Sequence, residues 1–421
     1  AVDAFQNIDL DKTSSISLNA KSGILSQTGV IGNLEAGKLE VSDLSYSGEK
    51  ILELTASGDL KSVTKEIFVQ EKNVILSDDF ESRDLNFWEN TEDWTVSSYK
   101  YINGSNSLKH NLTNAIGSSC VVCPLSNIQI GSESIFWEFL LHNSDWDPTS
   151  SNFFVFHLLM DFNDPELADN LYSVGINLSG SDDRLSLWKT DNENVQLLVK
   201  SDFDWNSEET VAVKVEYNAR GEWKLSYNRL GDKTNYLAAG TAVSEVNTDV
   251  KNWYSGLEFN FETASRAGQL WFDDIKVDSY NSAPFIKNYN LFSDSIVLNF
   301  SEDLNFLKSS ELKNFELQLG EVSVPIKEIK STDFNDQLVL VFENELVTAK
   351  YDLQVSRVED LKGAISNVET IQFDFYKEVH EYDLVINEIF ADESPVVDLP
   401  EYEFIEIYNT SDYPIKLEGF K

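Results

Sequence analysis

Apolar and polar residues alternate in short runs along the whole chain, as in Glu209–Tyr217 (ETVAVKVEY) and Lys224–Asn228 (KLSYN). A period of two is the mark of a half-buried strand. The intervening Asn218-Ala-Arg-Gly221 reads as a hairpin connection, with Gly221 supplying positive φ. Runs with a helical period are nearly absent. Short strands at this spacing predict an all-β, multidomain chain of sandwiches.

The pattern divides into four segments. Residues 1–72 carry strand-like runs that close with Lys50–Ala56 (KILELTA) and Ser62–Val69 (SVTKEIFV), joined through Ser57-Gly-Asp-Leu60. Gly48–Ala56 (GEKILELTA) resembles, without its aromatic residue, the penultimate strand of bacterial Ig-like repeats. Residues 74–280 are bounded by Ser77-Asp-Asp-Phe-Glu81 and Trp271-Phe-Asp-Asp-Ile-Lys-Val277, with a Gly104-Ser-Asn-Ser-Leu108 turn between. This segment resembles the concanavalin/laminin-G-like jelly rolls of Bacteroidetes surface proteins, whose closing strand pairs with the opening one. Residues 283–377 follow the Asn281-Ser-Ala-Pro284 linker. Their Leu298–Leu304 and Tyr351–Gly363 stretches resemble the S-layer type of bacterial Ig-like domain, with Ala364 in place of the usual Asn. Residues 381–421, which include VINEIF and EYEFIEIYNTS, resemble the start of a lamin-tail domain. Half a sandwich leaves open edges and an uncovered face. The expectation is that the chain continues past Lys421 or that a partner completes the strands.

Composition narrows the function classes. Among 421 residues, 32 Lys and Arg against 72 Asp and Glu leave a formal charge of −40. Such a charge repels nucleic acid and anionic lipid and favours divalent cations where carboxylates converge. With 42% hydrophobic and 12% aromatic residues, the chain is too apolar to be a disordered acidic polymer. No apolar run reaches the ~18 residues that cross a bilayer. The chain opens at Ala1 with neither an initiator Met nor a leader pattern, so export is argued from other features. Cys120 and Cys123 sit in a strand-like GSSCVVCPLSN. Side chains three apart on a strand point oppositely, which favours two core residues over a redox pair or a disulfide. His110, His142, His157 and His380 show no zinc-ligand spacing.

Candidate chemistry begins at the jelly-roll edges. Strict alternation places Trp271, Asp273, Ile275 and Val277 on one face of the closing strand, and Val74, Leu76, Asp78 and Phe80 on one face of the opening strand. Inward carboxylates on neighbouring strands predict a structural Ca²⁺ site at Asp78 and Asp273, completed by Asp79, Glu81 or Asp274. The alternative is that both aspartates accept backbone N–H groups at a strand bend. A second acidic stretch, Asp161–Asn170, lacks the central Gly of a calcium loop and reads as a solvated loop. Trp146 and Trp205, each beside polar residues, are candidates for stacking on sugar faces, or else core residues. Asp294-Ser295-Ile296 resembles a Bacteroidetes O-glycosylation tripeptide, which marks Ser295, although an ordinary strand start has the same form.

Catalytic signatures are missing. Glu258-Phe-Asn-Phe-Glu262 lacks the middle Asp of a jelly-roll glycosidase, and Glu401–Glu406 falls inside the lamin-tail motif. The sequence has no Gly-x-Ser-x-Gly elbow, P-loop or His-Glu-x-x-His. The expectation is a non-catalytic binding or assembly protein of the bacterial cell surface, with Ig-like modules as spacers and the jelly roll as recognition unit. The order of segments is typical of Bacteroidetes proteins exported by the type IX system, a route implied by the resemblance alone. Its partner is expected to be a surface protein or a polysaccharide, without nucleic acid or direct membrane insertion. Two rivals remain: the carbohydrate-binding arm of a larger secreted enzyme, and an accessory subunit of an outer-membrane β-barrel complex.

Overall fold

The structure, a computed structural model, describes residues 11, 13–39, 41, 44, 46–47, 51–59, 61–69, 72–391 and 403–418. The chain is all-β, with helix confined to Phe306–Ser309 and two short 3-10 turns among the described residues. It divides into two compact units, Ala1–Ser282 and Ala283–Lys421. No helix among the described residues is long and apolar enough to cross a membrane.

In the first unit, a four-stranded sheet runs in the order Gly29–Asn33, Ser15–Ala20, Ile51–Gly58, Val63–Phe68. A two-stranded pair of Ile24–Leu25 with Tyr46–Ser47 accompanies it, and the strands from Lys72 onward form a larger sandwich. Its six-stranded sheet has the order Gly117–Leu125, Trp253–Phe261, Asn152–Met160, Asn170–Ile176, Arg184–Asp191, Asn194–Asp204. The facing eight-stranded sheet runs Leu237–Val243, Glu222–Asn228, Thr210–Tyr217, Glu133–Asn143, Leu270–Asn281, Ser107–His110, Trp94–Ser97, with Lys72–Asp78 also on Leu270–Asn281. The alternating Thr210–Tyr217 and Glu222–Asn228 form the expected hairpin, closed by Gly221 N–H to the Asn218 carbonyl at 2.9 Å. Side chains of one parity from both sheets fill the core, which includes fully buried Trp137, Trp205, Trp223, Phe139, Phe154 and Phe156. Each such side chain contributes about 2–3 kcal/mol relative to an exposed one.

The opening and closing strands pair antiparallel, from Ile275 opposite Asp78 to Tyr280 opposite Lys72. Neither strand keeps strict alternation. Asp274 takes a left-handed φ of +50° and forms a bulge opposite the Glu138–Leu140 stretch. Phe272, Ile275 and Val277 therefore face the core, whereas Trp271 and Asp273 turn to the outer face. A register shift beside Val74 likewise leaves that residue 53% exposed while Leu76 and Phe80 stay inside.

The second unit pairs two four-stranded sheets over a core built on Leu298, Phe300, Leu317, Leu340, Tyr351 and Leu353. Tyr351 Oη both donates to the Val347 carbonyl and accepts the Val347 N–H, at 3.0 Å each, and pins the approach to its strand. A separate hairpin joins Leu384–Phe390 to Phe404–Asn409. One of its faces carries Ile386, Ile389, Ile405 and Ile407, all more than half exposed. The residues between those strands, 392–402, and the start of the Glu401–Glu406 motif lie outside the described residues.

Candidate functional site

The six-stranded sheet turns one parity of side chains to the core and the other outward. Asn152–Met160 sends Phe154, Phe156 and Leu158 inward, which leaves Val155 and His157 on the outer face. Register then brings three distant residues together, because His157 lies opposite Ser173 and Val155 opposite Glu258. The result is a hydrogen-bonded line across the sheet. His157 Nδ1 lies 2.8 Å from Ser173 Oγ, and Nε2 lies 3.0 Å from Glu258 Oε2. Ser118 Oγ donates to Glu258 Oε1 at 3.3 Å. Burial alone pushes the Glu258 carboxyl up, but its hydrogen bond and attraction to His157, joined by Ser118, hold it below the usual carboxylate range.

This line forms part of the wall of a cavity of about 630 Å³, a size that accepts small ligands. A loop after Met160 and the turn around Asn192 build its rim. The loop is Asp161–Asn170, the stretch read as solvated, and its acids serve the backbone. Asp161 accepts Asp169 N–H at 3.0 Å and Asn170 N–H at 3.1 Å, while Asp164 accepts Glu166 N–H at 3.0 Å. Asp169 in turn accepts Asn192 N–H through its carbonyl at 2.7 Å, which couples the loop to the opposite rim. Leu167, Leu178 and Val195 supply apolar wall; Ser173, Thr190 and Asn192 supply hydroxyl and amide groups. A second groove of similar size lies on the eight-stranded sheet beside Phe136 and Lys224. Its Glu216 is already paired with Lys214 at 3.0 Å and Lys224 at 3.6 Å.

The expected calcium residues are placed differently from the sequence reading. Asp78, opposite Ile275, faces the core, where it accepts Phe80 N–H and Trp88 Nε1–H, each at 2.8 Å. Burial raises its pKa. Asp273 lies fully buried on the other face. Its carboxylate accepts Asn103 N–H at 3.0 Å, Ser107 Oγ–H at 2.7 Å and Asp274 N–H at 2.8 Å. Asp79 accepts Glu81 N–H at 3.1 Å, and Asp274 binds Lys233 Nζ at 2.7 Å and Asn103 Nδ2 at 2.8 Å. The bulge sends Asp273 to the face opposite Asp78, and both aspartates accept backbone N–H groups, the arrangement that the sequence reading held open beside a Ca²⁺ site. Among the described residues, no three acidic, His or Cys side chains converge as a cation would need. Asp273, Asp274 and Glu81 together fasten the turn at Asn103–Ser107. Glu81 accepts the N–H groups of Ser105 at 2.6 Å and Asn106 at 2.9 Å, and a Cβ on Gly104 (φ +62°) would fall 2.4 Å from its Oε1.

Of the two placements open to Trp146 and Trp205, the structure has the core one. Trp205 is fully buried and Trp146 only 6% exposed. Trp205 Nε1–H donates to Asn143 Oδ1 at 2.9 Å, and Trp146 Nε1–H to the Gln269 carbonyl at 2.9 Å. Phe259 stacks on Trp146 and Arg266 lies over its ring at 5.3 Å, so neither indole offers a face to a sugar. Ser295 begins a strand, half-buried, and donates to Asp294 Oδ1 at 2.9 Å. Cys120 and Cys123 are free and lie on opposite faces of Gly117–Leu125, with burial raising both thiols, Cys123 to about 12. His157 and Ser173 escaped the sequence reading. The available signal was a histidine inside the apolar FFVFHLLM and a glutamate inside LEFNF, two polar residues placed where strands are otherwise greasy.

No protein-family profile matches the chain, and no curated protein matches it. Among solved structures, the N-terminal part of the bacterial S-layer protein SbsC is similar at 19% identity, over 30% of this chain and 31% of that one, with a TM-score of 0.22. The chain thus spans about a third of that structure's length. Carbohydrate binding module CBM66 from Bacillus subtilis matches at 13% identity over 45% of this chain and 94% of that one, with a TM-score of 0.29. The winged bean acidic lectin complexed with methyl-α-D-galactose matches at 11% over 51% and 99%, with a TM-score of 0.34. None of these likenesses bears on what this chain binds.

Proposed function

We propose that this chain is a non-catalytic recognition protein of the extracellular bacterial surface, and that the outer face of its six-stranded sheet binds a polysaccharide. One observation carries the reading: a cavity of about 630 Å³ whose buried wall is the Ser173–His157–Glu258 line and whose sides are aliphatic. Alternating apolar and hydrogen-bonding groups match a sugar ring, which has CH faces and a hydroxyl edge. A nucleophilic role for Ser173 is disfavoured. It sits mid-ladder between His157 and Trp188, where strand pairing occupies the backbone N–H groups that would stabilise an oxyanion.

The test is calorimetric titration of the whole chain against a panel of neutral, acidic and basic polysaccharides, with Val195→Arg as the blocked variant. Val195 is 38% exposed at the cavity wall, so the substitution obstructs the site without touching the core. Saturable binding that weakens at least tenfold in the variant, with melting unchanged, is the expected result. Binding that is indifferent to Val195→Arg overturns the site. Turnover of a bound polysaccharide by the isolated chain overturns the non-catalytic reading.

A further inference from the structure

The cavity's charge specifies the kind of saccharide, if the reading above holds. We infer that it selects a sugar carrying a free, protonated amine, that is, an unacetylated hexosamine unit. Among the described residues, four carboxylates line the cavity, from Glu166, Asp169, Glu193 and Glu258, and no lysine or arginine does so. Glu258 is committed to His157 and Ser118. The other three are exposed at the rim and form no ion pair among the described residues. They stand on two segments, the Asp161–Asn170 loop and the Asn192 turn, which the Asn192 N–H to Asp169 carbonyl bond holds together.

A concave site lined by one sign of charge concentrates its field in the opening. The formal charge of −40 adds the same sign at longer range. A uronate or sulfated sugar entering this cavity meets repulsion with no lysine or arginine among the described lining residues to offset it, since His157 is committed to Glu258. A neutral sugar gains only the hydrogen bonds of Ser173, Thr190 and Asn192. An ammonium on the ring gains these and the rim carboxylates too. The spread of hydroxyl and amide groups around the cavity suits a ring with several hydroxyls better than a lysine side chain, whose only polar group is its terminal ammonium.

Chitosan and chitin oligosaccharides differ by the acetyl group on each amine, and they make the discriminating pair. The full chain is titrated with both, and with oligogalacturonate and a lysine-rich peptide, in mildly acidic buffer at low and at moderate salt. The expected result is about tenfold tighter binding of the chitosan oligomer than of its acetylated counterpart, as two or three exposed ion pairs would give. That preference should shrink with salt. It should disappear in the triple variant Glu166→Gln, Asp169→Asn, Glu193→Gln, whose exposed positions leave melting unaltered. Equal affinity for the two oligomers overturns the charge selection and leaves saccharide binding standing. Stronger binding of oligogalacturonate overturns the selection too. Binding of the lysine peptide without any of the sugars, or no binding at all, overturns both readings.

Discussion

Asp273 shows how much one backbone angle decides. With Asp274 in an ordinary extended conformation, Asp273 would share the core face with Ile275; with φ at +50° it lies under the Asn103–Ser107 turn instead. Burial is the dominant influence on its carboxyl, and despite donors from Ser107, Asn103 and Asp274 its pKa is pushed up to about 6. The unfolded chain releases this proton near the ordinary value of 3.8, so between about pH 4 and about 6 the native state binds the extra proton. Stability then falls as pH rises through that window, by up to about 3 kcal/mol for a shift of roughly two units. Asp273→Asn removes the ionisation. Relative to wild type, the variant should gain melting temperature steadily from pH 4 to pH 7, and parallel melting curves across that range would refute the assignment. Two consecutive aspartates carry no bulge signature, and a non-glycine residue at positive φ is held there by its surroundings. The sequence therefore left both the side of the sheet and the partner of Asp273 unreadable.

At the scale of elements, period-two alternation was enough to read Thr210–Tyr217, where Val211, Val213, Val215 and Tyr217 fill the core and only the small Ala212 is buried on the other face. Register between strands was not legible. His157, Ser173 and Glu258 meet only through the pairings of three strands, and nothing local in any of them announces the other two. The same holds for two short motifs of the second unit. Ser301-Glu-Asp-Leu304 and Asp360-Leu-Lys-Gly363 are joined by the bridge of Leu304 to Asp360, which brings the Glu302 and Asp360 carboxyls into hydrogen-bond contact. Burial, then the charge of Asp360 and that hydrogen bond, push Glu302 up to about 8. Asp360 also accepts Ala364 N–H at 2.8 Å, which fixes its carboxylate beside Glu302. The unfolded glutamate ionises near 4.5, so the native state holds the extra proton between there and about 8. Stability of the second unit should decline as pH rises across this window. Glu302→Gln, which keeps a donor toward Asp360, should flatten the decline. Calorimetric melting of the full chain at pH 5, 7 and 9 reads the effect, and an equal decline in wild type and variant would exclude the pair as its source.

Across the whole molecule the dominant quantity is charge. Seventy-two acidic against 32 basic side chains repel one another in any compact arrangement, and compaction raises that cost above its value in the unfolded chain. Local pairing relieves little of it. Most of the ion pairs among the described residues are exposed contacts such as Lys200 with Asp182 and Lys21 with Glu53, where solvent screens the attraction. The screening length shortens from about 30 Å at 0.01 M salt to about 8 Å at 0.15 M, which spans the change from repulsion felt across a sandwich to repulsion between neighbours only. Melting temperature should therefore rise over that range, equally with sodium and potassium chloride, since screening depends on ionic strength and not on the cation. A fall in melting temperature with salt would mean that the attractive pairs outweigh the net repulsion. A rise confined to one divalent cation, with none from the monovalent salts, would mean that bound ions rather than screening stabilise this acidic fold.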